Sequence, residues 1–303
     1  MFVLGAQKCG TTALCDLLNN HPDCLVSEPK EPNYFSRAVN LPDDALLRSY
    51  YKKAAGEKYF IDGTTTYLAD PEIASRIAGR LGKDIRFIVA LRNPVSRAFS
   101  GFMHMVKRGH ERRTAEEVFL SLSDDPLEAA LTERVAVAKA AAYKQVVIPI
   151  YAKQYDDVLW NYRYLGNTLY SAQVEVFDRI FGTDSVLVLL FEDLIKNMEG
   201  ENAKIATFLG VDGSSFPDVL PSRNITSVGN TATFLGRMEE QARRIKRGNF
   251  VMVRREEGDV SKEATPQIKQ KLATIFAGET EYWSKRLDRN LAEIGWPVAR
   301  KPE

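Results

Sequence analysis

The sequence contains few of the features that mark small disulfide-rich, metal-binding or membrane-spanning proteins. Its 303 residues include three cysteines and three histidines, and the spacing of the cysteines matches no zinc motif. No apolar run approaches the ~20 residues that span a bilayer. Excess charge is missing too, because 41 basic residues are balanced by 40 acidic ones. The few cysteines exclude a disulfide scaffold and predict reduced thiols and no metal site. The short apolar runs predict no membrane span. The balanced charge argues against a protein that coats nucleic acid.

The remaining composition is typical of a soluble globular protein, with 45% apolar and 27% charged residues. The chain is long enough to bury a large core, and we expect a single domain over residues 1–303. Its first motif begins almost at residue 1, so we expect no secretory signal before it. The expected location is the cytoplasm, unless the chain is a soluble domain excised from a longer protein.

Strand-like and helix-like segments alternate along the chain. The strand-like segments are short apolar runs at residues 2–4, 24–26, 58–62, 85–91 and 186–191. The helix-like segments lie at residues 11–20, 71–82, 95–107, 110–145, 169–181, 199–209 and 263–291. This alternation predicts an α/β fold in which a mostly parallel central sheet is flanked by helices on both faces. A loop region at 212–260 contains a basic stretch, 237–255, with seven Arg or Lys against two Glu.

A glycine-rich loop, GAQKCGTT at residues 5–12, follows the first strand and opens the first helix. Backbone N–H groups in such a loop, together with a helix N-terminus, form a cradle for phosphate. The frame resembles the Walker A loop GxxxxGK(S/T), which makes the predicted sheet P-loop-like. It departs from that motif because Thr11 follows Gly10 and the lysine lies inside the loop, at Lys8. A Mg²⁺-dependent kinase would need the lysine directly before the threonine, so this alternative is disfavoured.

A second anion-binding pattern, RNPVSRAFS at residues 92–100, ends the strongest predicted strand. Arg92 is suited to bidentate phosphate binding, and Ser100 adds a hydroxyl about two helical turns later. Both patterns follow the carboxyl ends of strands, where open α/β sheets bind ligands. One nucleotide with two separate phosphate clusters could therefore bridge them.

These residues resemble the sulfotransferases that use 3′-phosphoadenylyl sulfate (PAPS), and most closely the branch that contains heparan sulfate and bacterial sulfotransferases. The resemblance is carried by GAQKCGTTAL and IRFIVALRNPVSRAFSGFMH, with support from KEPNYF (30–35), VLLFEDL (188–194), IATFLGV (205–211) and a terminal GW pair. It covers about residues 1–211 and 265–297. A helical insertion at 108–165 and the basic cover region at 212–260 match it weakly.

The resemblance implies a metal-independent transfer of a sulfuryl group from PAPS to a hydroxyl, or less readily to an amine, with release of adenosine 3′,5′-bisphosphate. The implied donor-binding residues, which hold the 5′-phosphosulfate or the 3′-phosphate, are Gly5, Gln7, Lys8, Cys9, Gly10, Thr11, Thr12, Arg92, Ser100 and Arg223. Lys8 is also implied to be catalytic, because its ammonium would neutralise the oxygen from which the sulfuryl group departs. Arg223 would belong to a basic loop that covers the 3′-phosphate.

An acceptor hydroxyl needs a general base, and the sequence offers two catalytic candidates. Glu31, in SEPKEPNYF, is the first candidate because it follows the second strand, although Glu28 is only three residues away. His104 is the second, because it lies one helical turn after Ser100. Lys30 and residues 62–67 are expected near the acceptor.

The acceptor itself stays open. It could be a glycan, a lipid, a small alcohol, a protein tyrosine or a hydroxyacyl chain on a carrier protein, the last if the chain is a domain of a multidomain synthase. A non-catalytic module that binds a nucleotide or an anionic polymer through the basic stretch is the remaining alternative. The near-neutral net charge weighs modestly against a large polyanionic acceptor.

Overall fold

Five short apolar segments form the strands in the computed structural model. They are β1 (Phe2–Gly5), β2 (Cys24–Val26), β3 (Tyr59–Ile61), β4 (Phe87–Leu91) and β5 (Val186–Leu190). The structure describes residues 1–36, 43–143, 160–218 and 263–298, which belong to one compact unit. Arg223 and the basic stretch 237–255 lie outside these ranges, so their implied roles stay predictions.

The five strands run parallel and lie in the order β2-β3-β1-β4-β5. β4 pairs with β1 on one side, where Phe2 is opposite Phe87, and with β5 on the other, where Leu91 is opposite Leu190. β2 pairs with β3, and a single parallel bridge between Phe2 and Asp62 joins this pair to β1. The predicted parallel sheet is confirmed, and the carboxyl ends of all the strands meet at one edge.

Ten α-helices surround the sheet in the described ranges. They are α1 (Thr11–Asn19), α2 (Asp44–Ser49), α3 (Pro71–Leu81), α4 (Pro94–Lys107), α5 (Ala115–Phe119), α6 (Pro126–Ala142), α7 (Tyr170–Phe181), α8 (Phe191–Lys196), α9 (Met198–Leu209) and α10 (Pro266–Arg286). Every residue of β4 is fully buried, as expected for a central strand covered on both faces. On one face, Phe87 packs against Phe177 and Phe181 of α7, with ring centroids 5.3 and 4.6 Å away.

A second apolar cluster lies beside the sheet, between α4, α5, α6 and α10. Phe102 of α4 contacts Phe119 and Tyr164, with ring centroids 5.6 and 5.8 Å away, and Phe276 of α10 is buried in the same cluster. The described residues just before α7, which include Tyr164, therefore pack into this second cluster.

The prediction of one helix over residues 110–145 is wrong, because two separate helices, α5 and α6, form there. Gly109, at φ +69°, ends α4, and the Thr114 side chain then starts the short α5 in a capping box with Glu117. The Asp125 carboxylate accepts from the Glu128 N–H at the first turn of α6, which begins at Pro126. Side chains that cap new helices interrupt a stretch whose alanine and charge content favours one long helix.

The boundaries of the other predicted helices and strands fall within a few residues of their predictions. The helices α2 and α8 were not predicted, because each spans only six residues. None of the helices in the described part of the chain is both long and apolar enough to cross a bilayer.

Candidate active site

The loop between β1 and α1 has the backbone shape of an anion cradle. Lys8 and Gly10 adopt left-handed φ values of +71° and +82°, and the Ala6 N–H donates to the carbonyl of Ala90 on β4, 2.7 Å away. Within the described chain, no side chain caps the N-terminus of α1 and no acidic residue lies in its first turn. The first N–H groups of a helix have no intrahelical acceptor, and here they point toward the carboxyl edge of the sheet.

Lys8 lies half-buried in this loop among other cations. Burial, and secondarily the positive charges of Arg97 and Arg108, lower the pKa of its ammonium. Positive charge held together in this way is stabilised by a multiply charged anion. The loop therefore combines an uncapped helix N-terminus with a partly desolvated ammonium.

Arg92 follows β4 directly and reaches the same loop. Its guanidinium donates to the Lys8 carbonyl at 3.4 Å and lies over the Phe191 ring, 4.9 Å from the centroid. The Tyr170 hydroxyl donates to the Arg92 carbonyl at 3.1 Å. Ser100 lies partly buried two turns into α4. The two predicted phosphate-binding patterns therefore meet at one edge of the sheet.

The side chains of Gln7 and Cys9 are engaged by other residues of the protein. The Gln7 amide donates to Asn161 at 3.2 Å and accepts from Arg97 at 3.1 Å. The Cys9 side chain is fully buried, with its sulfur 3.8 Å from the Tyr170 hydroxyl oxygen, and burial raises the pKa of the thiol to about 11. Thr11 is buried as well, and its hydroxyl accepts from Lys30 at 3.4 Å.

Glu31 lies beside the N-terminus of α1. Its Oε1 accepts from the Lys30 ammonium at 2.9 Å and from the Thr65 hydroxyl at 3.4 Å, and its side chain is 39% exposed. Because the same ammonium also donates to Thr11, Glu31 shares one hydrogen-bonded network with the loop between β1 and α1. Glu28, the neighbouring candidate, instead pairs with Lys53, and both side chains are more than three-quarters exposed.

His104 lies on α4 near Lys8, but its ionisation differs from that of a typical histidine. Burial, followed by the positive charges of Lys8 and Arg108, lowers the pKa of the imidazole to about 3. The ring is therefore neutral at physiological pH. His21, in contrast, is buried away from this edge, where one ring nitrogen accepts from the Asp23 N–H and the other donates to the Asp212 carbonyl.

The model of the sulfotransferase domain family matches residues 1–293, nearly the whole chain. The chain belongs to the sulfotransferase family. Two curated relatives are heparan sulfate glucosamine 3-O-sulfotransferase 6 of Mus musculus and 3-O-sulfotransferase 3B1 of Homo sapiens, 24% and 25% identical over 209 residues. These matches cover 69% of this chain and 51% and 45% of the relatives, so the chain spans about half of their length. A crystal structure of a sulfotransferase from Alicyclobacillus acidocaldarius is 24% identical, with a TM-score of 0.64 over 96% of both chains, and supports the same fold.

Three residues that contact the loop between β1 and α1, or Arg92 beside it, were missed as site residues by the sequence reasoning. They are Arg97, Tyr170 and Phe191, each of which touches either Gln7, Cys9 or Arg92. The sequence did contain a signal for Arg97, because it lies at helical spacing from Pro94, Gly101 and Met105, which are also buried. In the described ranges, no group of three His, Cys, Asp or Glu residues could hold a metal ion. The metal independence of the reaction stays a prediction.

Proposed function

We propose that this sulfotransferase uses PAPS as its donor, transfers the sulfuryl group to a hydroxyl acceptor and releases adenosine 3′,5′-bisphosphate. The observation that carries the proposal is the meeting of Lys8, Arg92 and the uncapped N-terminus of α1 at one sheet edge. PAPS carries anionic groups at two places, and this edge offers cationic groups from two loops. The matched relatives are 3-O-sulfotransferases, which agrees with an oxygen acceptor.

In the proposed complex, the loop Gly5–Thr12, which we name the donor loop, holds the 5′-phosphosulfate through backbone N–H groups. Gln7 and Cys9 contribute only backbone, because their side chains are engaged or buried. Arg92 and Ser100 hold the 3′-phosphate. Arg92 needs little reorganisation for this role, because the Phe191 ring and the Lys8 carbonyl already orient its guanidinium.

The proposed chemistry is an in-line displacement at sulfur. A bond forms between the acceptor oxygen and sulfur, while the bond from sulfur to the bridging oxygen of the phosphosulfate breaks. The electron pair of that bond remains on the bridging oxygen, where the Lys8 ammonium and the loop amides stabilise the negative charge. The proton of the acceptor hydroxyl passes to the Glu31 carboxylate.

The proposal is tested first by calorimetry with purified protein. We expect adenosine 3′,5′-bisphosphate to bind without added metal, and ATP–Mg²⁺ to bind far more weakly. Tight binding of ATP–Mg²⁺ with no binding of the bisphosphate would instead support a kinase. A screen of hydroxyl compounds and carrier-bound hydroxyacyl chains with radiolabelled PAPS, read by mass spectrometry, then identifies the acceptor class.

Lys8→Ala tests the chemical role of the loop. Removing one group that stabilises developing charge is expected to lower kcat by about 100-fold or more. The affinity for adenosine 3′,5′-bisphosphate should fall much less than kcat, because the loop amides and Arg92 still hold its two phosphates. Lys83→Ala is the control, since this exposed lysine precedes β4 at the opposite edge of the sheet. A Lys8→Ala enzyme that turns over like the control contradicts the assignment.

A further inference from the structure

Arg97 is a buried cation that contacts the donor loop from inside the protein. It is 1% exposed, on the inner face of α4. Its Nε donates to the Gln7 carbonyl at 2.9 Å, and a terminal nitrogen donates to the Gln7 side-chain oxygen at 3.1 Å. The other terminal nitrogen donates to the Tyr164 carbonyl at 3.0 Å and to the Thr168 hydroxyl at 3.2 Å. All of these acceptors are neutral oxygens, although burying a guanidinium is costly.

The bond from Arg97 to the Gln7 carbonyl fixes one peptide plane of the donor loop. The Gln7–Lys8 peptide bond is trans, so its C=O and N–H point in opposite directions. Holding the carbonyl inward on Arg97 therefore directs the Lys8 N–H outward. The left-handed backbone of Lys8, at φ +71°, is unfavourable for a residue with a side chain and needs such support from its neighbours.

The other end of Arg97 is bound to a segment that is itself firmly held. The Thr168 hydroxyl donates to the Tyr164 carbonyl at 2.6 Å. Between these residues, the N–H groups of Leu165 and Gly166 donate to the buried Glu133 carboxylate of α6, at 2.8 and 3.0 Å. Arg97 thus joins the donor loop to a segment about 70 residues further along the chain, which α6 keeps in place.

We propose that Arg97 is a positioning residue for sulfuryl transfer, which fixes the Gln7 carbonyl so that the Lys8 amide and ammonium face the donor. The inference rests on the proposed function, because it presumes that the loop binds PAPS. It goes beyond that function by assigning a role in the reaction to a residue that touches no substrate, and to the 164–168 segment that holds it.

Arg97→Lys is the first test, because it keeps the charge but replaces a fork of donors with a single ammonium. One ammonium cannot reproduce the fork geometry toward Gln7, Tyr164 and Thr168. We expect kcat/KM for PAPS to fall by about 100-fold, the scale expected for a misplaced reacting group. KM for the acceptor should stay unchanged. The Lys8 amide resonance, which we expect to shift when adenosine 3′,5′-bisphosphate binds the wild type, should shift less in the variant.

Thr168→Val keeps the inference testable if Arg97→Lys folds poorly. It removes one acceptor of Arg97 at the end remote from the donor and preserves side-chain shape. We expect a loss in kcat/KM for PAPS of about tenfold. Thr274→Val is the matched control, because the exposed Thr274 hydroxyl on α10 donates to the Gln270 carbonyl of its own helix.

The outcomes separate this inference from the proposed function. If the wild type binds adenosine 3′,5′-bisphosphate, and folded Arg97→Lys and Thr168→Val retain the kcat/KM of the control, the positioning role is overturned while the function stands. If the variants only unfold at lower temperature but match the wild type per folded molecule, Arg97 is structural and the role is again overturned. If the wild type itself binds no bisphosphate, the proposed function fails.

Discussion

Two residues near the donor loop could accept the proton of an acceptor hydroxyl, and their surroundings differ. His104 lies among positive charges and has a pKa lowered to about 3, chiefly by burial. A base of such low pKa has little driving force for taking a proton at neutral pH. Glu31 has a carboxyl group that is partly open to solvent and joined through Lys30 to Thr11. Its place in this hydrogen-bonded network favours Glu31 as the base.

Exchanging each candidate for glutamine distinguishes them. Glu31→Gln retains the shape of the side chain but loses its basic oxygen, and we expect kcat to fall by about 100-fold or more. His104→Gln should retain kcat within about tenfold, since it replaces a neutral ring with a neutral amide. The measurement is kcat with the acceptor from the screen, at several pH values.

The control for both variants is the affinity for adenosine 3′,5′-bisphosphate, which reports an intact donor loop. Full activity of Glu31→Gln together with a large loss in His104→Gln would reverse the assignment. Glu28→Gln adds a matched carboxylate control, because the Glu28 side chain forms an exposed pair with Lys53. We expect this variant to behave like the wild type.

At the level of elements, α1 and α8 approach each other closely at Gly10. A Cβ built on Gly10 would lie 2.8 Å from one ring carbon of Phe191, the first residue of α8, and the backbone there has φ +82°. The Phe191 ring cannot move freely, because the Arg92 guanidinium lies over it. Only glycine therefore permits this close packing between the donor loop and α8.

Gly10→Ala should disturb both phosphate-binding patterns at once. The left-handed backbone costs about 1–2 kcal/mol for alanine, and the displaced Phe191 ring shifts Arg92. We expect affinity for adenosine 3′,5′-bisphosphate to fall by about tenfold or more, measured by calorimetry. Gly79→Ala is the control, because Gly79 is exposed on α3 and no described atom lies within 4 Å of the new Cβ.

The control variant should bind the bisphosphate normally and gain roughly 1 kcal/mol in free energy of unfolding, as alanine favours helix. Wild-type affinity in Gly10→Ala would mean that the loop and α8 relax without cost, and would contradict the close packing.

The elements that sequence patterns predicted well are those with one dominant signal. The run VLVLL gives β5, and Pro71 and Gly82 bound α3. The break between α5 and α6 depends on caps from Thr114 and Asp125, which compete with a strong helical composition. Arg97 was not predicted as a site residue because its acceptors, the Gln7 and Tyr164 carbonyls, come from distant parts of the sequence. Motifs predicted which two loops meet at the carboxyl edge of the sheet, whereas tertiary contacts decide which residues support those loops.

For the whole molecule, the balanced net charge of +1 conceals a local excess of positive charge. Lys8, Arg92 and Arg97 lie together, and the exposed Lys107 and Arg108 are near enough to lower the pKa of Lys8. Acidic residues elsewhere cancel this charge in the total. The excess suits a small polyanion, and we expect binding of the bisphosphate to weaken as ionic strength rises.

The three thiols provide a probe of the whole fold, because they lie in the core that surrounds the donor loop. Cys9, Cys15 and Cys24 are free and buried, and burial raises their pKa values to about 11, 12 and 11. Reaction with a thiol reagent needs an exposed thiolate, so each buried cysteine can react only when the structure around it opens. We expect none of them to react promptly in native protein and all three to react after denaturation.

Binding of the donor product should then protect these thiols through the folding equilibrium. A ligand at 100 times its Kd stabilises the native state by about 2.7 kcal/mol, which lowers the open population about 100-fold. We therefore expect adenosine 3′,5′-bisphosphate to slow the labelling of all three cysteines by about this factor, followed by absorbance and located by peptide mass spectrometry. ATP–Mg²⁺ at the same concentration is the control and should protect less. Prompt labelling of one thiol in native buffer would show that the region around it opens independently, and an unchanged rate with bound bisphosphate would contradict the coupling of ligand to fold.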